Sequence, residues 1–286
     1  MKKFLLILLL ILILTAASLG IYGYSLYSQA IKKEPLISKI EQIQSDENYV
    51  KYENLPQDYL DAVVSVEDRR FYDHGAIDLR SIARAIYVNV TNFDLREGGS
   101  TITQQLAKNI YFIDMNPFSR KLAEIFMAFA IEDNYSKEEI LELYVNTSYF
   151  GDGYYGIKEA CNGYLDKEPS EMNLNECTMM AGIPNAPSVY APTKNPDLTK
   201  SRQEHVLETM VENGYISQEK AEEIMKHLDK NIKKTAVVVS PAKEQIIDIC
   251  NSGFDYIQIH GKIEEEVLKM AQIPVLKAFN VDDMDE

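Results

Sequence analysis

From Phe4 to Leu14 the chain is apolar without a break, and small or weakly polar residues carry the run on to about Gly23. About twenty such residues in a helix cross the hydrocarbon of a bilayer, so this end of the chain is committed to a helix that needs no partner in the fold. Lys2 and Lys3 ahead of the run favour a cytoplasmic N-terminus and place the remainder outside. Ala16-Ala17-Ser18 offers the small residues of a cleaved export signal. The run continues past them, which favours an uncleaved anchor, and either reading exports the rest of the chain. The expected division is a membrane anchor over 1–24 and a linker or stalk over 25–44.

A formal net charge of −15 argues against nucleic acid as a partner. Against that background the cations between Lys108 and Lys121 stand out as a local anion site. Cys161, Cys177 and Cys250 lack metal-ligand spacing, and the odd count indicates no disulfide framework. Helix starts recur with clear capping chemistry: Asp78 before Leu79–Val90, Ser136 with Glu139, and Asn173 with Glu176. The body of the chain therefore reads as mainly α. Tyr111 to Pro117, aromatic and containing proline, reads as a loop. Phe112, Ile113, Met115 and Phe118 suit either ordinary packing or contact with lipid.

Three segments carry chemistry. In Gly98–Asn109, GGSTITQQLAKN, two glycines lead into a helix on which Thr101 and Gln104 can form a capping box. Free N–H groups and the positive helix end make such a start a seat for phosphate or pyrophosphate, with Lys108 about two turns along. Upstream, apolar residues at Leu60, Val63 and Val64 place Glu67 next on the same helix face. A carboxylate there is either paired, with Arg69, Arg70 or Arg84, or poised for proton transfer. Downstream, Glu124 opens an apolar helix one turn after Arg120 and Lys121. Two half-buried acids and a basic cluster suit chemistry on a sugar attached to a pyrophosphate.

The segments EDRRFYDH…RA (Glu67–Ala85), GGSTITQQLAKN, RKLAE (Arg120–Glu124), ILELYVNTSYFG (Ile140–Gly151) and AGIPNAPSVYAP (Ala181–Pro192) occur in that order. Together they resemble the five motifs of the family 51 peptidoglycan glycosyltransferases, over roughly residues 45 to 225. The resemblance implies a lysozyme-like α fold. It also implies polymerisation of lipid II into β-1,4-linked glycan with inversion and release of undecaprenyl diphosphate. Carried over by motif, Glu67 is the general base and Glu124 supports the diphosphate, with Mg²⁺ or Mn²⁺ as the implied metal. Lys108, Arg120 and Lys121 contact the diphosphate, while Ser100, Thr101, Gln104 and Asn146 line the site, with Gly151 and Arg202 as supporting positions. Asn185 stands where the family usually has Gln. The implied partners are lipid II, the growing glycan chain, the cell membrane and other cell-wall synthesis proteins. The implied location is the cell membrane, single-pass, with the catalytic domain extracytoplasmic. Two rivals stand beside this reading: a hydrolytic or lytic enzyme with a lone Glu, and a catalytically silent scaffold.

After about residue 230 the pattern changes to βαβαβ, with strand-like Thr235–Val239, Asp255–His260 and Ile273–Val281 and helical Pro241–Ser252 and Ile263–Ala271 between them. DYIQIHG and IPVLKAF in this stretch resemble an interior piece of phosphoribosylanthranilate isomerase, a barrel enzyme whose catalytic Cys and Asp fall outside the piece. The expected domains are thus a glycosyltransferase domain over 45–230 and a short barrel-like fragment over 231–286 without isomerase activity.

Overall fold

The computed structural model describes residues 2–92, 98–227, 235–239, 242–251, 256–260, 265–273 and 275–277. The boundary expected at 230/231, and the element ends expected at Pro241, Ser252, Asp255, Ile263 and Val281, lie outside the described residues. The chain forms two units, 1–222 and 223–286. The first is helical: α1 (Lys2–Lys33), α2 (Leu36–Gln44), α3 (Gln57–Glu67), α4 (Leu79–Asn92), α5 (Ile102–Ala107), α6 (Pro117–Glu132), α7 (Lys137–Thr147), α8 (Ile157–Leu165), α9 (Leu174–Gly182), α10 (Pro187–Tyr190) and α11 (Pro196–Glu212). Next comes α12 (Gln218–His227). The second unit holds β1 (Thr235–Val239), α13 (Lys243–Asn251), β2 (Tyr256–His260), α14 (Glu265–Leu268) and β3 (Val275–Lys277).

The N-terminal part of α1 is apolar and exposed from Phe4 through Leu14. At 1.5 Å per residue, Phe4 to Ile21 spans about 27 Å, close to the hydrocarbon thickness of a bilayer. At Gly23 the helix meets α6, where a Cβ would lie 2.9 Å from the Leu122 carbonyl oxygen, so only glycine permits the approach. Tyr22 shares a hydrogen bond with Ser119 at 3.2 Å, and Tyr24 packs edge-on against Phe126 at 5.7 Å. Within the stretch 25–44, expected as a linker or stalk, α1 runs on to Lys33 and α2 covers Leu36–Gln44. Leu26, Tyr27, Ala30 and Ile31 repeat on one face of α1 and pack on the core. No proline interrupts the helix before Pro35, after which α2 buries Leu36 and Ile40.

The capping residues read from the sequence form their helices. Asp78 accepts from the backbone of Arg80 and Ser81 ahead of α4. Ser136 with Glu139 and Asn173 with Glu176 form capping boxes on α7 and α9. The expected loop from Tyr111 is corrected in its first part. The chain leaves α5 through a π-helical turn, Lys108–Phe112, which buries Ile110 and Phe112. Asn116 then caps α6, with Pro117 at its first position. Phe112 is 2% exposed and Met115 packs on the core, whereas Ile113 and Phe118 are 53% and 62% exposed. Of the four residues weighed for lipid contact, two face outward and two are packing residues.

The core brings α5 against α6 and α7, and α3 against α9 and α11. Ile102 and Leu106 of α5, Met127 and Ile131 of α6, and Leu141 of α7 are fully buried. Gly156, at φ 81°, starts α8 where a Cβ would lie 2.7 Å from the Asn146 carbonyl oxygen. In the second unit β1 pairs in parallel with β2 and β2 with β3, in the order β1-β2-β3, around Ile246, Ile257 and Ile259.

Candidate active site

Leu60, Val63 and Val64 draw the inner face of α3 into the core, and the same face ends on Glu67. Its side chain is 7% exposed. Oε2 accepts a hydrogen bond from Gln105 Nε2 of α5 at 2.9 Å. Oε1 lies 3.6 Å from an Arg202 nitrogen of α11 and has no hydrogen-bond partner among the described residues. Arg70, one of the partners expected from the sequence, pairs with Asp78 instead. Beside Glu67 opens a polar cleft of about 390 Å³, lined among others by Asp68, Arg69, Arg84, Gly99, Ser100, Asn185, Arg202 and Asn213.

The second acid sits on α6. Glu124 is 2% exposed, and its carboxylate is held by Arg120 Nε at 3.2 Å and Lys121 Nζ at 2.9 Å. Both cations lie one turn earlier on the same helix, where the i,i+3 and i,i+4 spacing brings them onto the acid. Lys121 Nζ also donates to Ser100 Oγ at 2.5 Å, tying the Gly-Gly loop to α6. Lys108 opens the π-helical turn. Burial lowers its ammonium pKa; Glu124 and Glu67 act against that, and Arg120 and Lys121 with it. Lys108 thus feels both carboxylates. Three cations around one paired carboxylate leave the cluster with an excess of positive charge, suited to an anion with several oxygens.

A model of the transglycosylase family matches residues 33–211. This chain belongs to that family. It is 40% identical to penicillin-binding protein 1F of Bacillus subtilis over 237 residues, covering 77% of this chain and 33% of the relative. It is 36% identical to penicillin-binding protein 1A of Neisseria flavescens over 244 residues, covering 81% and 31%. The chain therefore spans about a third of the length of these curated relatives. A solved structure of penicillin-binding protein 1A from Haemophilus influenzae matches at 23% identity and a TM-score of 0.38, over 62% of this chain and 17% of that one.

Within the transglycosylase domain the capping box on α5 forms as read: Thr101 Oγ1 accepts from Gln104 N, and Gln104 Oε1 accepts from Thr101 N. The free helix start expected to seat a phosphate is different. Ile102 N donates to Asp68 Oδ2 at 3.1 Å, so an internal carboxylate already meets the positive end of α5. Lys108, Arg120 and Lys121 supply the positive side chains of the site. Asp68 also bonds His74 Nε2 at 2.8 Å. Burial lowers the His74 pKa, but the bonds to Asp68 and to the Gly75 carbonyl outweigh it, and the net shift is upward.

Asn146 stands apart from this cluster. Its Oδ1 accepts from Val50 N at 2.8 Å, and its Nδ2 donates to the carbonyls of Val50 and Glu142, both at 2.8 Å. It clamps the segment before α3 to α7. As for a metal, cationic side chains lie against both oxygens of Glu124. Asp68, His74 and Asp78 are the described residues whose ligand atoms cluster within 4.8 Å. Those atoms are taken by internal bonds to one another, to Arg70, to Ser81 and to the start of α5. Two residues of the site escaped the sequence reading. Gln105 reads as the neighbour of a capping Gln, and Tyr144, 2% exposed inside an apolar helix, reads as core.

Proposed function

We infer that this chain is a peptidoglycan glycosyltransferase that polymerises lipid II into glycan strands. It would work at the outer face of the cell membrane, with α1 as a single-pass anchor. The observation that carries this is the buried Glu67, whose Oε1 has no hydrogen-bond partner among the described residues and which lines a polar cleft; Ser100, lining the same cleft, accepts from Lys121 of the Lys108–Arg120–Lys121 cluster. In this reading Oε1 takes the proton from the 4-hydroxyl of the acceptor sugar as that oxygen attacks the anomeric carbon of the donor. The bond from that carbon to the diphosphate breaks, and the three cations meet the negative charge on the departing undecaprenyl diphosphate. Ser100 holds Lys121 in place from the loop side. Glu124 would be the residue to hold Mg²⁺ or Mn²⁺, which would supply further positive charge to the departing diphosphate. A lytic enzyme would use a lone Glu but has no need of three cations beside it.

We place the glycosyltransferase domain at 45–230. Residues 231–286 we read as a partial barrel-like segment without isomerase activity, since the described strands form a three-stranded parallel sheet, a fraction of a closed barrel. The test is lipid II polymerisation by the detergent-solubilised chain, with and without Mg²⁺, beside Glu67→Gln and Lys108→Ala. Polymer from the parent and about a hundredfold less from Glu67→Gln is the expected result. Comparable polymer from Glu67→Gln would remove Glu67 from the role of base.

A further inference from the structure

We propose that Tyr144 and Gln105 form a positioning relay that decides which oxygen of Glu67 takes the proton, an inference that rests on reading Glu67 as the general base. The carboxylate can only accept, so the Gln105 atom 2.9 Å from Glu67 Oε2 is the amide nitrogen. That leaves Gln105 Oε1 facing the Tyr144 hydroxyl at 3.3 Å, and the hydroxyl must donate to it. Tyr144 comes from α7, Gln105 from α5 and Glu67 from α3, so the relay crosses three helices. Burial drives the Tyr144 phenol pKa well above its ordinary value, and the Glu67 charge adds to this, so the group stays an O–H donor.

The relay makes the two carboxylate oxygens unlike. Oε2 is tied by the amide; among the described residues Oε1 has no hydrogen-bond partner, and Arg202 of α11 lies 3.6 Å from it. Lys108 contributes charge from the π-helical turn, and Asp68 is the next residue along the chain. When Glu67 takes a proton on Oε1, Oε2 becomes a carbonyl-like acceptor and the Gln105 bond needs no rearrangement. Without the Tyr144 donation the amide could turn over, place its oxygen against Oε2, and make the charged base less favourable.

The test is the pH dependence of kcat and KM for lipid II polymerisation by the full chain, with Gln105→Leu, Tyr144→Phe and the double variant, each checked by thermal melting. Gln105→Leu removes a donor to the charged form, so the acid limb should move up by about one pH unit. Activity then falls about tenfold on the acid side, recovers as pH rises, and leaves KM nearly unchanged. Tyr144→Phe should move the limb the same way by less, and the double variant should match Gln105→Leu, because Tyr144 acts through Gln105. Should Gln105→Leu melt early, Gln105→Glu keeps the shape, sets a second carboxylate beside Glu67, and should shift the limb at least as far. An unmoved limb with the same fractional loss at every pH, or additive effects in the double variant, would overturn the relay. Glu67→Gln separates the two readings: an inactive Glu67→Gln with unmoved limbs sinks the relay alone, and an active one sinks the base assignment beneath it.

Discussion

Replacing Asn146 with Ala separates a binding role from a clamping role, and the structure favours the clamp. The side chain makes three hydrogen bonds, two of them to the N–H and C=O of Val50, a residue only 7% exposed. Each such bond contributes about 1 kcal/mol net, and a buried backbone group left without a partner costs about 1–3 kcal/mol. If the Glu142 carbonyl keeps its helical partner and water reaches one Val50 group, the loss is about 2–4 kcal/mol. For a domain of this size each kcal/mol lowers the melting temperature by about 2–4 °C, giving a drop of roughly 4–16 °C. The assay pairs thermal unfolding in detergent with initial rates well below the transition. Reduced melting with a near-normal KM for lipid II is expected. An Asn146→Ala chain that melts like the parent and loses lipid II binding would refute the clamp and return the residue to the substrate.

The other expectations concern the membrane face and pH. In a variant lacking residues 2–21, Phe118→Glu with Ile113→Glu should weaken liposome binding about tenfold or more without lowering the melting temperature, since both side chains are more than half exposed. Unchanged binding would remove these residues from the membrane face. Phe112→Glu should instead unfold the domain, because it puts a charge at a 2% exposed position; a folded Phe112→Glu chain in circular dichroism would contradict the packing. The His74–Asp68 pair raises the His74 pKa, so its stabilisation is complete below the unfolded value of roughly 6.5 and is lost as pH rises through the higher folded value. The parent's melting temperature should therefore fall with pH over that window more steeply than that of His74→Gln, and parallel curves would refute the coupling. Asp78 has the opposite sign: desolvation is outweighed by its bonds to Ser81, Arg70 and Arg80, its pKa is lowered, and its contribution is lost only toward strong acid.

The features legible in the sequence are those that depend on neighbours along the chain. The apolar run of α1, the caps at Asp78, Ser136 and Asn173, and the Thr101–Gln104 box rest on contacts within about four residues, and local spacing reports them. The inward turn of Glu67 followed from the period of Leu60, Val63 and Val64, and Arg120 and Lys121 lie on Glu124 by helical spacing alone. What meets those side chains was decided by packing of helices remote in the chain. Arg202 rather than Arg69, Arg70 or Arg84 faces Glu67, because α11 lies against α3. Asp68 takes the Ile102 N–H at the start of α5, and Asn146 bonds Val50. The π-helical turn that buries Phe112 and opens at Lys108 follows from how α5 and α6 fit, which no periodicity announces. A carboxylate's place on its helix is a local property of backbone geometry. Its partner, and the oxygen left free for chemistry, are set by which helices come together around it.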